Sequence, residues 1–293
     1  MNEQVQNIFS VLESRKSTFS KGHRKIAEYI IEHYDKAAFM TAAKMGSVVG
    51  VSESTVVRFA TELGFEGYPQ MQRALKGYTS NRLTSVQRMD VMNEQIGNDD
   101  ILSRTLNFDI EQIRKTLEEI DKDEFRRTVE ELSSARNVYV IGARSAAVLA
   151  RYIVFYFNII VENCKIIHTT STSEMFEQIL HIGEGDIMIS VSFPRYSKHT
   201  VKASKFAHEH GAKVIAITDS QSSPLAPYAD HLLIAHSDMS SFADSIVAPM
   251  SLINALISAV GMNKKNYVEK NLGYLEQIWD EYEVFEKSDD QDY

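Results

Sequence analysis

Two sets of residues in this 293-residue chain have the types and the spacing to do chemistry. The first is Ser52, Ser54, Thr55, Val57, Arg58 and Thr61, with Lys44 a short way before them. A guanidinium such as that of Arg58 takes guanine bidentately, and hydroxyls such as those of Ser54 and Thr55 bond phosphates or bases. A small apolar side chain such as Val57 touches a thymine methyl. The second set comprises Gly142, Arg144 and Ser145, together with Ser190, Ser192, Arg195 and Ser197. Both of its runs lead out of an apolar stretch and into a helical one. Hydroxyls and free backbone N–H groups at a helix start form an anion site, with phosphate the usual occupant. Arginine adds a planar donor for phosphate or carboxylate. Plain structural work fits the same residues: a glycine-turn helical hairpin in the first set, serine N-caps in the second.

The elements that must position the first set are a pair of short helices across a sharp turn, over residues 45–63. Met45, Val49, Val51, Val56 and Phe59 are apolar where the two helices pack, and Gly46 is small where they touch. Gly50 falls where the turn needs φ > 0, and Ser52 caps the second helix with Glu53 in its first turn. Ser54, Thr55, Val57, Arg58 and Thr61 then face outward, as a recognition helix presents its side chains. Ile26, Ile30, Ile31 and Tyr34 recur at helical spacing, which predicts a supporting helix over 21–34. Gly64 ends the recognition helix, and Gly67-Tyr68-Pro69 opens another that reaches Leu75. Residues 1–76 read as an all-α domain. A Ser-, Thr-, Asn- and Asp-rich linker follows over 77–100.

From residue 101 to 285 the pattern changes. Helical segments over 101–120 and 124–132 precede short apolar strands at 138–141, 165–167, 187–190, 214–218 and 231–234. Helices at 146–160, 173–180 and 197–209 lie between them. The alternation predicts an α/β three-layer domain with a five-stranded parallel sheet, and ligands in such sheets bind beyond the carboxyl ends of strands. An apolar helix from residue 245 and a further one through Trp279 close the domain. Residues 286–293 form an acidic, solvated tail.

Composition narrows the function classes. The net charge of −9 is uneven, since residues 1–82 carry 11 Lys+Arg against 8 Asp+Glu. The remainder carries 20 against 32, so phosphate attraction is confined to the N-terminal end. A single cysteine, Cys164, forbids an internal disulfide and a cysteine-based metal site. No metal or other cofactor is expected. His208 and His210 fit a solvated helix end better than a metal pair. Glu174, His168 and His199 are the residues an enzyme would use as a base, but Glu174 suits the helix dipole and no nucleophile–base pair is spelled out. No catalytic residue is therefore assigned. The N-terminus has no signal segment, and the apolar run 246–262 is short for a span and interrupted by Pro249 and Asn254, which predicts a cytoplasmic protein.

Taken together, residues 41–63 with Gly64-Phe65, and residues 203–230 with Gly211-Ala-Lys-Val-Ile-Ala-Ile-Thr218 and Ser223-Pro-Leu-Ala226, resemble the RpiR family of bacterial transcription regulators. The second domain is similar to the sugar isomerase (SIS) fold. The resemblance implies a homodimer or higher oligomer on inverted-repeat operators, with a phosphosugar controlling DNA affinity. This chain departs from the SIS pattern at both loops. The common Ser-x-Ser-Gly-x-Thr becomes Ser192-Phe-Pro-Arg-Tyr-Ser197, and Gly-x-Gly-x-Ser becomes Gly142-Ala-Arg144-Ser-Ala146. These changes leave open a sugar acid as the ligand, or a site without one. A phosphosugar isomerase or lyase, and an adaptor whose helices bind protein, are the competing functions.

Overall fold

The computed structural model of the chain describes residues 8–80, 83–84, 86–90, 100–239 and 243–286. Two compact units divide it: residues 1–108 with 238–245, and residues 109–237 with 246–293.

The first unit is helical. It runs through α1 (Ile8–Arg15), α2 (Lys21–Glu32), α3 (Tyr34–Ala37), α4 (Ala42–Val49), α5 (Glu53–Glu62) and α6 (Tyr68–Ser80). Ser20 starts α2 by accepting the His23 N–H at 3.3 Å. Ile26, Ala27 and Ile30 of α2 are wholly buried with Met45, Val56 and Phe59. Those residues recur at helical spacing, so each helix offers one apolar stripe to the others. Phe59 meets the Phe19 ring edge-on at 5.4 Å.

The unit does not stop at residue 76. Helix α6 passes Gly77 to Ser80, Leu83 is buried, and residues 86–90 are helical. Arg88 is 1% exposed and donates to Asp244 at 2.6 Å. The polar composition of 77–100 conceals this anchoring, because the carboxylate that neutralises Arg88 lies far along the sequence. Residues 81–82, 85 and 91–99 of the expected linker, and 287–293 of the expected acidic tail, lie outside the described residues.

The second unit is a three-layer α/β fold. After α7 (Ile101–Glu119), whose first turns belong to the first unit, come α8 (Lys122–Ser134), β1 (Asn137–Gly142), α9 (Ala146–Ile160), β2 (Cys164–Ile167) and α10 (Thr172–Gln178). They are followed by β3 (Asp186–Val191), α11 (Lys198–Glu209), β4 (Lys213–Thr218), β5 (His231–Ile234), α12 (Val247–Asn263) and α13 (Lys265–Glu281). The strands form one sheet in the order β2-β1-β3-β4-β5. Every pairing is parallel. Side chains alternate between its faces. Val138, Val140, Ile187, Ile189, Ile215 and Ile217 pack with Leu149, Ile153 and Phe157 of α9 and Ile253 of α12. Tyr139, Ile141, Met188 and Val214 pack on the other face with Met175 of α10 and Ala203 of α11. Edge strand β5 is tied to α8 by Glu124, which receives the Leu232 N–H at 3.3 Å and lies 2.9 Å from His231 Nδ1.

A buried carboxylate fixes the amino end of the sheet. Asp186 is fully buried and accepts from Arg136 Nε at 2.8 Å, Arg136 Nη2 at 2.9 Å, Asn137 Nδ2 at 2.7 Å and the Gly183 N–H at 3.1 Å. Burial alone raises its pKa, but the Arg136, Asn137 and Gly183 donors outweigh that and hold the carboxyl below its usual range. A folded pKa below the unfolded one stabilises above about pH 4, and that contribution drains away as pH falls through the folded value. Asp186→Asn is expected to destabilise this unit by about 1–3 kcal/mol at pH 7. Thermal melts of both proteins from pH 7 to pH 3 should show the gap narrowing in the acid range; a gap that stays constant refutes the assignment.

Candidate functional site

The α4–α5 hairpin depends on two glycines. Gly50 takes φ +75°, and the Val51 N–H returns to the Gly46 carbonyl at 2.9 Å, closing α4 in a left-handed turn. Gly46 is where the backbones meet: a Cβ there would lie 2.8 Å from the Val51 carbonyl oxygen. Gly64, at φ +92°, ends α5 in the same manner, with the Phe65 N–H bonded to the Ala60 carbonyl at 3.1 Å. Ser52 caps α5 by accepting the Thr55 N–H at 3.2 Å. Its hydroxyl also lies 2.9 Å from Ser54 Oγ and 2.8 Å from Thr55 Oγ1.

Lys44, Ser52, Ser54, Val57, Arg58 and Thr61 are all exposed, and Thr55 is half-buried. Arg58 Nε donates to the Ser54 carbonyl at 3.2 Å, so the exposed side chain lies back along the helix. Thr61 Oγ1 donates to the Val57 carbonyl at 3.3 Å. The start of α2 abuts the start of α5, since a Cβ on Gly22 would lie 3.4 Å from Thr55 Cγ2. That brings exposed Lys21 to the same end of the face. The periodicity of α5 could not point to Lys21, which comes from another helix.

The second set collects at the carboxyl ends of β1 and β3, which are adjacent in the sheet. Helix α9 leaves β1 over one face and α11 leaves β3 over the other. Chain direction thus diverges between the two loops and opens a crevice. Gly142 has a steric duty, because a Cβ would lie 2.5 Å from the Ala146 carbonyl oxygen. Arg144 (φ +57°) and Arg195 (φ +67°) both adopt the left-handed conformation, and both are exposed. For a residue with a Cβ this costs about 1–2 kcal/mol. Ser145 precedes α9 without making a capping bond. Ser197 does cap α11, accepting the Thr200 N–H at 3.4 Å, and Ser192 accepts the Ser197 N–H at 3.3 Å. Ser190 lies apart: it is fully buried on the α11 face, and its hydroxyl accepts from Ser204 at 2.7 Å.

Comparison with known proteins follows the same division. A model of the helix-turn-helix domain, rpiR family, matches residues 6–82. A model of the SIS domain matches residues 131–259. The chain thus joins a helix-turn-helix domain of the rpiR family to a SIS domain. A relative from Caldanaerobacter subterraneus subsp. tengcongensis, an uncharacterized HTH-type transcriptional regulator, is 23% identical over 92% of this chain and 95% of its own. The Vibrio vulnificus NanR protein complexed with ManNAc-6P shares the fold at TM-score 0.59 and 22% identity, covering 96% of this chain and 100% of that one. The sugar isomerase domain of an RpiR transcription factor from Sphaerobacter thermophilus also superposes at TM-score 0.59, with 24% identity over 61% of this chain and 99% of that one.

Within the SIS domain, the loops beyond the strand ends have supports that sequence patterns do not reveal. Thr172 Oγ1 lies 3.0 Å from His199 Nε2, tying the start of α10 to α11. Tyr196 OH donates to Asp219 at 2.8 Å, tying the loop after β3 to the loop after β4. Glu174 is exposed in the first turn of α10 and accepts from Thr170 Oγ1 at 3.1 Å. His208 and His210 diverge: His208 faces Asp230 at 3.9 Å, while His210 stacks on Phe206 at 3.9 Å.

The hairpin geometry predicts opposite outcomes at two helical glycines. Gly46→Ala forces the helices apart and is expected to cost about 1–3 kcal/mol. Gly77→Ala, with open space around it in α6, is expected to stabilise by about 0.5–1 kcal/mol. Urea unfolding followed by circular dichroism separates them; equal effects would contradict the close approach at Gly46.

Proposed function

We propose that this chain is a sequence-specific DNA-binding transcription regulator of carbohydrate metabolism. Its operator affinity is set by a small anionic sugar, a phosphosugar, bound in the β1/β3 crevice. The observation that carries this reading is the union in one chain of an outward α5 face, with Ser54, Val57, Arg58 and Thr61 exposed, and a parallel-sheet crevice bordered by two arginines. Arg58 and the hydroxyls are the donors that major-groove readout uses. The NanR protein solved with ManNAc-6P, which spans nearly all of this chain, supports an effector of that class. The effector acts by shifting a population between two arrangements of the recognition helices. The chain acts as a regulator rather than an enzyme, a reading supported by its similarity over 92% of its length to an HTH-type transcriptional regulator. It works in the cytoplasm, where its operator DNA is. Among the described residues no helix is long and apolar enough to cross a membrane.

Operators of such regulators are inverted repeats read by two-fold assemblies. Self-association is supported by α7, where Leu102, Leu106, Ile110 and Leu117 are 65%, 54%, 52% and 64% exposed. Their spacing puts them on one stripe, and a stripe of this kind in water calls for a partner. A homodimer or tetramer built in part on α7 accounts for it. Replacing Leu106 and Ile110 with Glu together is expected to leave each unit folded and convert the assembly to monomers in sedimentation velocity. An unchanged sedimentation coefficient refutes the role of α7.

The reading is tested by fluorescence anisotropy on inverted repeats from the promoter of its own and neighbouring genes, with and without phosphosugars. Arg58→Ala is expected to weaken operator binding by about 1–3 kcal/mol while preserving the melting temperature. Glu174→Ala is expected to leave DNA binding intact. Turnover of a phosphosugar that is lost in Glu174→Ala would instead establish an isomerase, and failure to bind any such repeat would remove the regulator reading.

A further inference from the structure

The two loops of the crevice share a feature that the phosphosugar reading does not require. Arg144 and Arg195 stand where SIS sequences commonly carry glycine, and both hold the left-handed backbone that glycine adopts freely. Arginine at such a position is strained, so glycine would make the better loop. The gain must come from the side chain. Arg144 is exposed, and its guanidinium makes no hydrogen bond or ion pair among the described residues. Its guanidinium therefore adds no polar contact to the fold of the loop. Arg195 is also exposed. The two lie beyond the carboxyl ends of paired strands, Gly142 being in register with Val191. They therefore sit on the two loops that leave neighbouring strand ends, the place where the chain directions diverge. A third observation concerns the polar capacity of that end of α11. Thr200 is wholly buried in the first turn, directly after the loop, and its hydroxyl has no partner among the described residues.

We propose that Arg144 and Arg195 select an effector with two acidic groups, one for each arginine. Such an effector is a sugar carrying a phosphate and a carboxylate, or two phosphates, rather than the monophosphate of a neutral sugar. This rests on the phosphosugar reading and narrows its ligand class. A single phosphate is satisfied at the start of α11, with Ser197 and Arg195 beside it. It leaves the Arg144 guanidinium, across the crevice, with nothing to bind. A second acid group completes a charge-assisted pair there, and a planar guanidinium fits either carboxylate or phosphate.

Isothermal titration calorimetry of the full-length protein with matched probes tests this. The pairs are glucose 6-phosphate against 6-phosphogluconate, and fructose 6-phosphate against fructose 1,6-bisphosphate. At least one doubly acidic probe is expected to bind about tenfold tighter than its monoacidic partner, the gain of one charge-assisted pair. The probe that shows the gap distinguishes carboxylate from second phosphate. Arg144→Gly relieves the backbone and is expected to melt no lower than the parent. It should nevertheless erase the tenfold gap, the doubly acidic member losing more affinity than its monoacidic partner. Arg195→Gly should weaken both members of a pair together. Equal affinity for both members in the parent protein overturns the proposal and leaves the phosphosugar reading standing. So does a gap that survives Arg144→Gly. No binding of any probe, with operator affinity unmoved by all of them, overturns the phosphosugar reading itself.

Discussion

The sensor half of this protein depends on one topological fact, the divergence of the chain between β1 and β3. Strand order β2-β1-β3-β4-β5 sends the connection after β1 one way and the connection after β3 the other. Parallel crossovers have a fixed hand, so the two helices must cover opposite faces of the sheet. The loops that launch them cannot close over each other. A crevice with two helix starts on its rim is the consequence, whatever side chains occupy it. The alternation of Val138 and Val140 to one face with Tyr139 and Ile141 to the other gives each helix its apolar floor. The buried Asp186 then ties the opposite end of the sheet to Arg136 and Asn137.

The helical half depends on an analogous economy of space. Gly46 lets α4 and α5 touch at backbone distance, and Gly50 reverses the chain within one residue. Because the inward face of α5 is held by wholly buried Val56 and Phe59, its outward face is determined by elimination. The helix has 3.6 residues per turn, so fixing those two positions turns Ser54, Val57, Arg58 and Thr61 to water.

Periodicity explains what was legible in the sequence. Helix α9 spans 146–160 and β5 spans 231–234 as their patterns predict, while β2 and β4 start one residue earlier and β1 and β3 extend by one residue at each end. Apolar runs bounded by turns report burial directly, whether on one face or both. The site was legible only in part, because types and spacing do not say where a hydroxyl is used. Ser190 carries the right chemistry, yet the pleat points it beneath α11 at Ser204. Ser52, Ser192 and Ser197 sit where expected, but their oxygens hold backbone N–H groups. The pairs Thr172–His199 and Tyr196–Asp219 join residues 27 and 23 positions apart, beyond any local pattern. Arg88 is the extreme case, read as part of a polar linker and buried on Asp244, 156 positions away.

Charge sets the remaining condition on both halves. Residues after 82 hold 20 basic against 32 acidic side chains, so most of the chain repels polyanions. Screening confines that repulsion to about 8–10 Å at physiological salt. The basic excess lies within residues 1–82, with 11 basic against 8 acidic side chains, so non-specific phosphate contacts are disfavoured over the rest of the chain. On the proposed reading, discrimination then falls to the few donors of α5 rather than to bulk attraction. The same acidity makes an anion site in the sensor unit expensive unless positive potential is supplied locally. Helix starts contribute only about half a charge each. In the proposed site, the two arginines in left-handed loops, exposed and held against backbone preference, supply the full charges that an acidic domain otherwise denies its ligand.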